Sequence, residues 1–158
     1  MHEIVIANTT PIIALLGIGK INILKALYNE IIIPHAVSEE ILIKNENILD
    51  DYNWIRVHNV TNLAAKEVFS SALHIGEIEV ILLSKEMRAN LVIIDDNIAR
   101  RHAKYLGLTV TGTIGIILRA KREGIIHEVK PVINKLIENG FYISNTICEE
   151  VLNYAGES

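Results

Sequence analysis

Short runs of aliphatic residues alternate along the chain with longer segments whose apolar positions recur at helical spacing. Residues 3–7 (EIVIA) predict a strand, and the Asn-Thr-Thr-Pro that follows predicts a turn into a helix ending near residue 16, broken by Gly17 and Gly19. A second helix is expected over 20–27, a β-branched buried strand over 30–33, and a helix opened by Pro34 that runs to about residue 44. Residues 45–53 are polar and read as loop, 54–60 as an edge strand and 62–73 as a helix. The segment 76–88 is helical and apolar on nearly every side, which implies deep burial. Further strands are expected at 91–94 and 108–111, further helices at 97–106, 113–121 and 130–139, and a hairpin or helix at the C-terminus.

Strands without polar alternation, separated by helices, mark a parallel sheet covered on both faces. The expected fold class is therefore α/β, a three-layer α/β/α arrangement around a central, mainly parallel sheet. No repeat and no Pro/Gly/Ser-rich linker interrupts the chain, so residues 1–158 are expected to form a single domain. In open sheets of this kind ligands sit outside the carboxyl ends of the strands. That edge is the place to look for chemistry.

Half of the residues are hydrophobic, 22% are charged and the mean hydropathy is +0.31, which excludes a disordered chain. The apolar excess is aliphatic, with 29 Ile against eight aromatics, and this argues against base stacking as the main way of holding a nucleic acid. The single cysteine, Cys148, excludes an internal disulfide and any zinc site built on several thiolates. No basic, apolar leader and no uncharged apolar run of about 18 residues occurs, so a cytoplasmic protein without membrane contact is expected. A net charge of -4 argues against bulk-electrostatic binding of nucleic acid and leaves room for a local basic patch. The six histidines show neither HxH nor HxxxH spacing, and no GxSxG or GxxxxGK[ST] element is present. Histidine-ligated zinc, α/β-hydrolase and P-loop chemistry are set aside.

Two strands end in oxygen-bearing side chains. Asn8 follows the strand 3–7 and Asp95-Asp96 follow the strand 91–94, so these groups are expected to face one crevice. A helix cap explains one of the two aspartates, and an Asx-turn or cap ahead of Pro11 explains Asn8 equally well. Glu77 shares a helix face with Val80, Ile81 and Ser84, where a first-turn glutamate is also favoured by the helix dipole, while Glu79 is expected to face solvent. Glu40 shares a face with Val37, Ile43 and Lys44, and an ion pair with Lys44 would account for it alone. Together these residues suggest a carboxylate cluster, which close neighbours can sustain only by protonation or by binding a cation. Magnesium and manganese take oxygen ligands, and metal-assisted phosphodiester hydrolysis is the chemistry they suggest here.

The stretches IANTTPIIAL (6–15), IIIPHAVSEEIL (31–42), LHIGEIEVILLSKEMRANLVIIDDNIARRHAKYLGL (73–108) and TGTIGIILRAKREGII (111–126) carry a likeness to a known family. In their order and separation the chain resembles a PIN-domain protein, and within that superfamily the toxin-like (VapC-type) group of small prokaryotic ribonucleases. The resemblance implies an α/β/α fold whose acidic residues bind Mg2+ or Mn2+ to cut RNA, a homodimer, and a small antitoxin partner. By position, the family's acids fall on Asn8, Glu40, Glu77 and Asp95, with Asp96 in an assisting place among the metal ligands. Members usually carry aspartate where Asn8 stands, and the amide keeps one oxygen ligand while removing a full charge. A partly degenerate member, one in which Asp96 restores the charge, and a substitution that silenced a toxic nuclease all remain open.

Arg100 and Arg101 follow Asp95-Asp96 on one helix, and one of them is expected to contact phosphate through its planar donor fork. Thr9 and Thr113 are candidate substrate contacts through their hydroxyls, and each is also a plausible helix cap. Two readings from different classes follow: a metal-dependent ribonuclease, and a catalytically impaired PIN fold that binds RNA or a protein without cutting. A small phosphatase at a similar strand-end site is a weaker third.

Overall fold

The computed structural model describes residues 3–44, 46–69 and 73–158. Strands β1 (Val5–Ala7), β2 (Ile31–Pro34), β3 (Ile55–His58), β4 (Leu91–Ile93) and β5 (Val110–Thr111) form one sheet in the order β3-β2-β1-β4-β5. Every pairing is parallel, with Ile6 opposite Ile32 on one side and Val92 on the other. Helices α1 (Thr9–Gly17), α2 (Asn22–Tyr28), α3 (His35–Lys44), α4 (Ile75–Met87), α5 (Asn97–Tyr105), α6 (Thr113–Arg122), α7 (Lys130–Glu138) and α8 (Asn145–Tyr154) complete a three-layer α/β/α arrangement.

Strand burial follows position in the sheet. The central strands β1 and β2 are buried at every residue, as a strand covered on both faces must be, whereas edge strand β3 exposes Arg56 and Val57. Fully buried Ile6, Ile12, Leu24, Ile33, Ile81 and Ile93 anchor the core. From β1 the chain winds outward through β2 to β3, then returns to the other side of β1 as β4. The strand order therefore reverses between β1 and β4, where an open α/β sheet leaves a crevice at its carboxyl edge. Asn8 and Asp95 flank that crevice, and the Asn8 N–H bonds the Ile93 carbonyl at 2.9 Å, continuing the β1–β4 ladder one residue past the strand.

Three expectations need correction. The segment 62–73 holds a 3-10 helix at Leu63–Val68 instead of an α-helix, and residues 70–72 of that expectation lie outside the described residues. The loop 45–53, whose residue 45 lies outside the described residues, contains a 3-10 turn at Ile48–Asp51, whereas the C-terminal segment takes the helical one of its two expected forms, α8. Glu79 does not face solvent: it is 5% exposed, its Oε1 accepts the Ala36 N–H at 3.0 Å and its Oε2 pairs with Lys66 Nζ at 2.5 Å. From Gly76 to Ser84 helix α4 is covered on all sides, so a carboxylate on any face of that stretch needs a partner. Through Glu79, α4 caps the first turn of α3 and fixes the relative height of the helices that carry Glu77 and Glu40.

Candidate active site

The first turn of α1 begins directly at the end of β1, which puts Asn8 at the cap position with an extended backbone. Its side chain nevertheless makes no cap hydrogen bond. The residue is buried, and the amide oxygen lies toward Gly76 at the start of α4. A Cβ added to Gly76 would stand 3.6 Å from Asn8 Oδ1 and would collide with Glu40 Oε1. Gly76 is thus the gap into which an amide oxygen from β1 and a carboxylate from α3 both project. Thr9 donates its hydroxyl to Glu40 Oε2 at 2.8 Å and so turns that carboxylate. Glu40 has this partner in place of the helical ion pair with Lys44 that the spacing allowed.

Glu77 follows Gly76, is 6% exposed, and accepts the His74 N–H at 3.0 Å through Oε1. Burial holds its pKa above the ordinary glutamate value; the His74 N–H and the His74 side chain oppose that rise, while the negative charges of Asp96 and Glu40 add to it. Asn8, Glu40, Glu77 and Asp96 therefore belong to one electrostatic neighbourhood drawn from four segments.

Asp95 sits differently. Its Oδ1 accepts the Thr113 N–H at 2.7 Å and its Oδ2 the Thr113 hydroxyl at 2.6 Å, which tethers the end of β4 to the first turn of α6. Burial raises its pKa, against the lowering effect of both Thr113 bonds and of nearby Arg100. Gly112 makes this packing possible, because a Cβ there would come within 2.7 Å of Asp95 Oδ1 and 2.6 Å of Arg100 Nη1. Arg100 Nη1 in turn donates to the Ile94 carbonyl at 3.1 Å. Asp96 caps α5, its Oδ2 accepting the Ala99 N–H at 2.9 Å.

Asp95, Asp96, Arg100 and Gly112 line an open cleft of about 990 Å3, which Phe141 and Tyr142 also line. Of the expected substrate contacts, Arg100 lines this cleft and Arg101 is exposed on the same helix. Thr113 is fully buried with its hydroxyl committed to Asp95, and Thr9 is buried with its hydroxyl committed to Glu40. Both threonines donate their hydroxyl protons to acidic side chains and so orient them. Gly76 and Gly112 escaped the sequence reading, although each lies next to residues it had singled out.

Among the described residues, no three His, Cys, Asp or Glu side chains stand close enough together to hold a metal ion. The Asn8 amide oxygen is a donor outside that set, and with Glu40 and Glu77 it makes an all-oxygen group of the kind magnesium and manganese accept. The donor chemistry fits such an ion, and the charges of Asp96 and Glu40, which add to the rise that burial causes in the Glu77 pKa, are ones a cation would offset.

Among the described residues, no helix is long and apolar enough to cross a membrane. A family model for the PIN domain matches residues 4–157. No curated protein and no solved structure is detectably similar.

Proposed function

The chain belongs to the PIN-domain family, whose members are generally nucleases that work with divalent metal ions, and on that premise we propose that it is a Mg2+- or Mn2+-dependent endoribonuclease. The observation that carries this reading is the convergence at Gly76 of Asn8 Oδ1 and Glu40 Oε1, beside a buried Glu77 whose pKa is raised. Asn8, Glu77, Asp95 and Asp96 would hold the ion. When bound, it would activate a water and stabilise the leaving oxygen of a phosphodiester.

The chain's own residues have separable tasks in this scheme. Glu40, turned by Thr9, presents Oε1 to the site and takes the proton of the attacking water. Thr113 keeps Asp95 in one orientation, and Arg100 is the phosphate contact. The likeness to the toxin-like group supports a toxin paired with a small antitoxin, a homodimer and a cytoplasmic location.

Two observations favour a second reading, a PIN fold that binds RNA without cutting it: Asn8 lacks the charge of an aspartate, and among the described residues no three acidic side chains close on one point. Incubation of single-stranded RNA with the protein and Mn2+ separates the two. The nuclease reading expects cleavage that EDTA and Asp95→Asn each abolish. Tight RNA binding without cleavage under any divalent metal would favour the second reading.

A further inference from the structure

Tyr142 is 87% exposed, yet it lines the same cleft as Asp95 and Arg100. Tyr105 and Tyr154 are comparably exposed, and neither borders this cleft. Phe141, Ile143 and Ile147 line it too, so the cleft combines an apolar, aromatic run of the chain with carboxylates and a guanidinium. The segment is held from both ends. The Phe141 N–H bonds the Leu136 carbonyl at 2.9 Å, and Ser144 caps α8 by accepting the Ile147 N–H at 3.2 Å. An aromatic ring held out in water on a braced turn costs little further ordering when a flat partner covers it.

We propose that Tyr142 is a specificity-determining residue that stacks an unpaired base, so that the cleft selects single-stranded RNA whose neighbouring phosphate lies at Arg100. The proposal rests on the nuclease reading for its substrate class. Both kinds of group border one cleft, so a strand lying in it can meet Arg100 with a phosphate and the ring with a base face. In a duplex the base faces are covered by their neighbours, so only an unpaired base can use the ring. The low aromatic content of the chain is no obstacle, since one placed ring suffices for one base.

The test is binding of a short 3′-fluorescein-labelled oligoadenylate, followed by anisotropy in EDTA and again in Ca2+, beside an oligomer of equal length with abasic sites and the corresponding duplex. Stacking on an aromatic ring is worth enough that Tyr142→Ala should weaken oligoadenylate binding about 5- to 150-fold. The abasic oligomer, with the same phosphates, should bind both proteins equally. Tyr142→Phe should restore the affinity, and Tyr105→Ala should leave it unchanged. Equal loss for both oligomers, no loss, no binding by the unaltered protein, or no preference over duplex would each overturn the proposal; unchanged RNA affinity would assign the aromatic run to a protein partner. Because the readout is binding, base-dependent affinity without Mn2+-dependent cleavage would sink the nuclease reading and leave the stacking assignment standing.

Discussion

The two halves of the crevice solve the same problem in opposite ways. At the β4–β5 side, burial raises the Asp95 pKa, and Thr113, bound to both of its oxygens, and a nearby guanidinium oppose that rise. At the β1–α3–α4 side, Glu77 is pushed up by burial and then further by Asp96 and Glu40. One carboxylate is anchored; the other shares a neighbourhood with more negative charge. The difference suggests a division of labour, in which the anchored half presents its oxygens in one orientation and the charged half is where a cation would relieve most repulsion.

The same glycine substitution on each side should separate these roles. Gly76→Ala puts a methyl group where Glu40 Oε1 sits, and the end of a flexible side chain can swing away. Cleavage should fall about 100-fold, the cost of a catalytic group displaced by about 1 Å. Thermal stability should hold or rise slightly, because alanine is the better helix former. Gly112→Ala instead meets an Asp95 that Thr113 does not release, and should destabilise the fold by about 1–3 kcal/mol in denaturant unfolding. Equal effects of the two variants on stability would erase the distinction.

A remote acidic group gives the smallest effect and a control. Glu157 accepts Lys121 Nζ at 2.8 Å and the Val129 and Lys130 N–H groups at 2.8 and 2.9 Å, clamping the start of α7, and its pKa is lowered to about 2. A depressed folded-state value stabilises above the unfolded pKa near 4.5 and loses that contribution as pH falls towards 2. The Tm difference between the unaltered protein and Glu157→Gln should therefore be present at pH 6 and vanish near pH 2. Cleavage should be unaffected by this change.

Much of this was legible in the chain itself. The uninterrupted Ile31–Ile33 and Leu91–Ile94 stretches announce central parallel strands, and residues just past such strands land at the carboxyl edge for reasons of topology alone. Pairings across the sequence were not legible. Nothing local shows that Lys66 will neutralise Glu79, or that Thr9 and Thr113 will spend their hydroxyls on Glu40 and Asp95 across 31 and 18 residues. The two glycines carry a signal that could have been read: each directly adjoins an acidic or hydroxyl residue where a strand or loop enters a helix, the setting in which a missing Cβ allows close approach. Helical periodicity also misled for Glu79, since on a stretch of helix covered all round no face is the solvent face.

The central claim is that Asn8 and Glu77, with Asp95 and Asp96 across the crevice, hold a divalent cation, and calorimetric titration with Mn2+ tests it most directly. The account predicts saturable binding by the unaltered protein, lost in Glu77→Gln and tightened roughly tenfold, about 1.4 kcal/mol, in Asn8→Asp, which returns a full charge to the site. Equal Mn2+ affinity in all three proteins would contradict it.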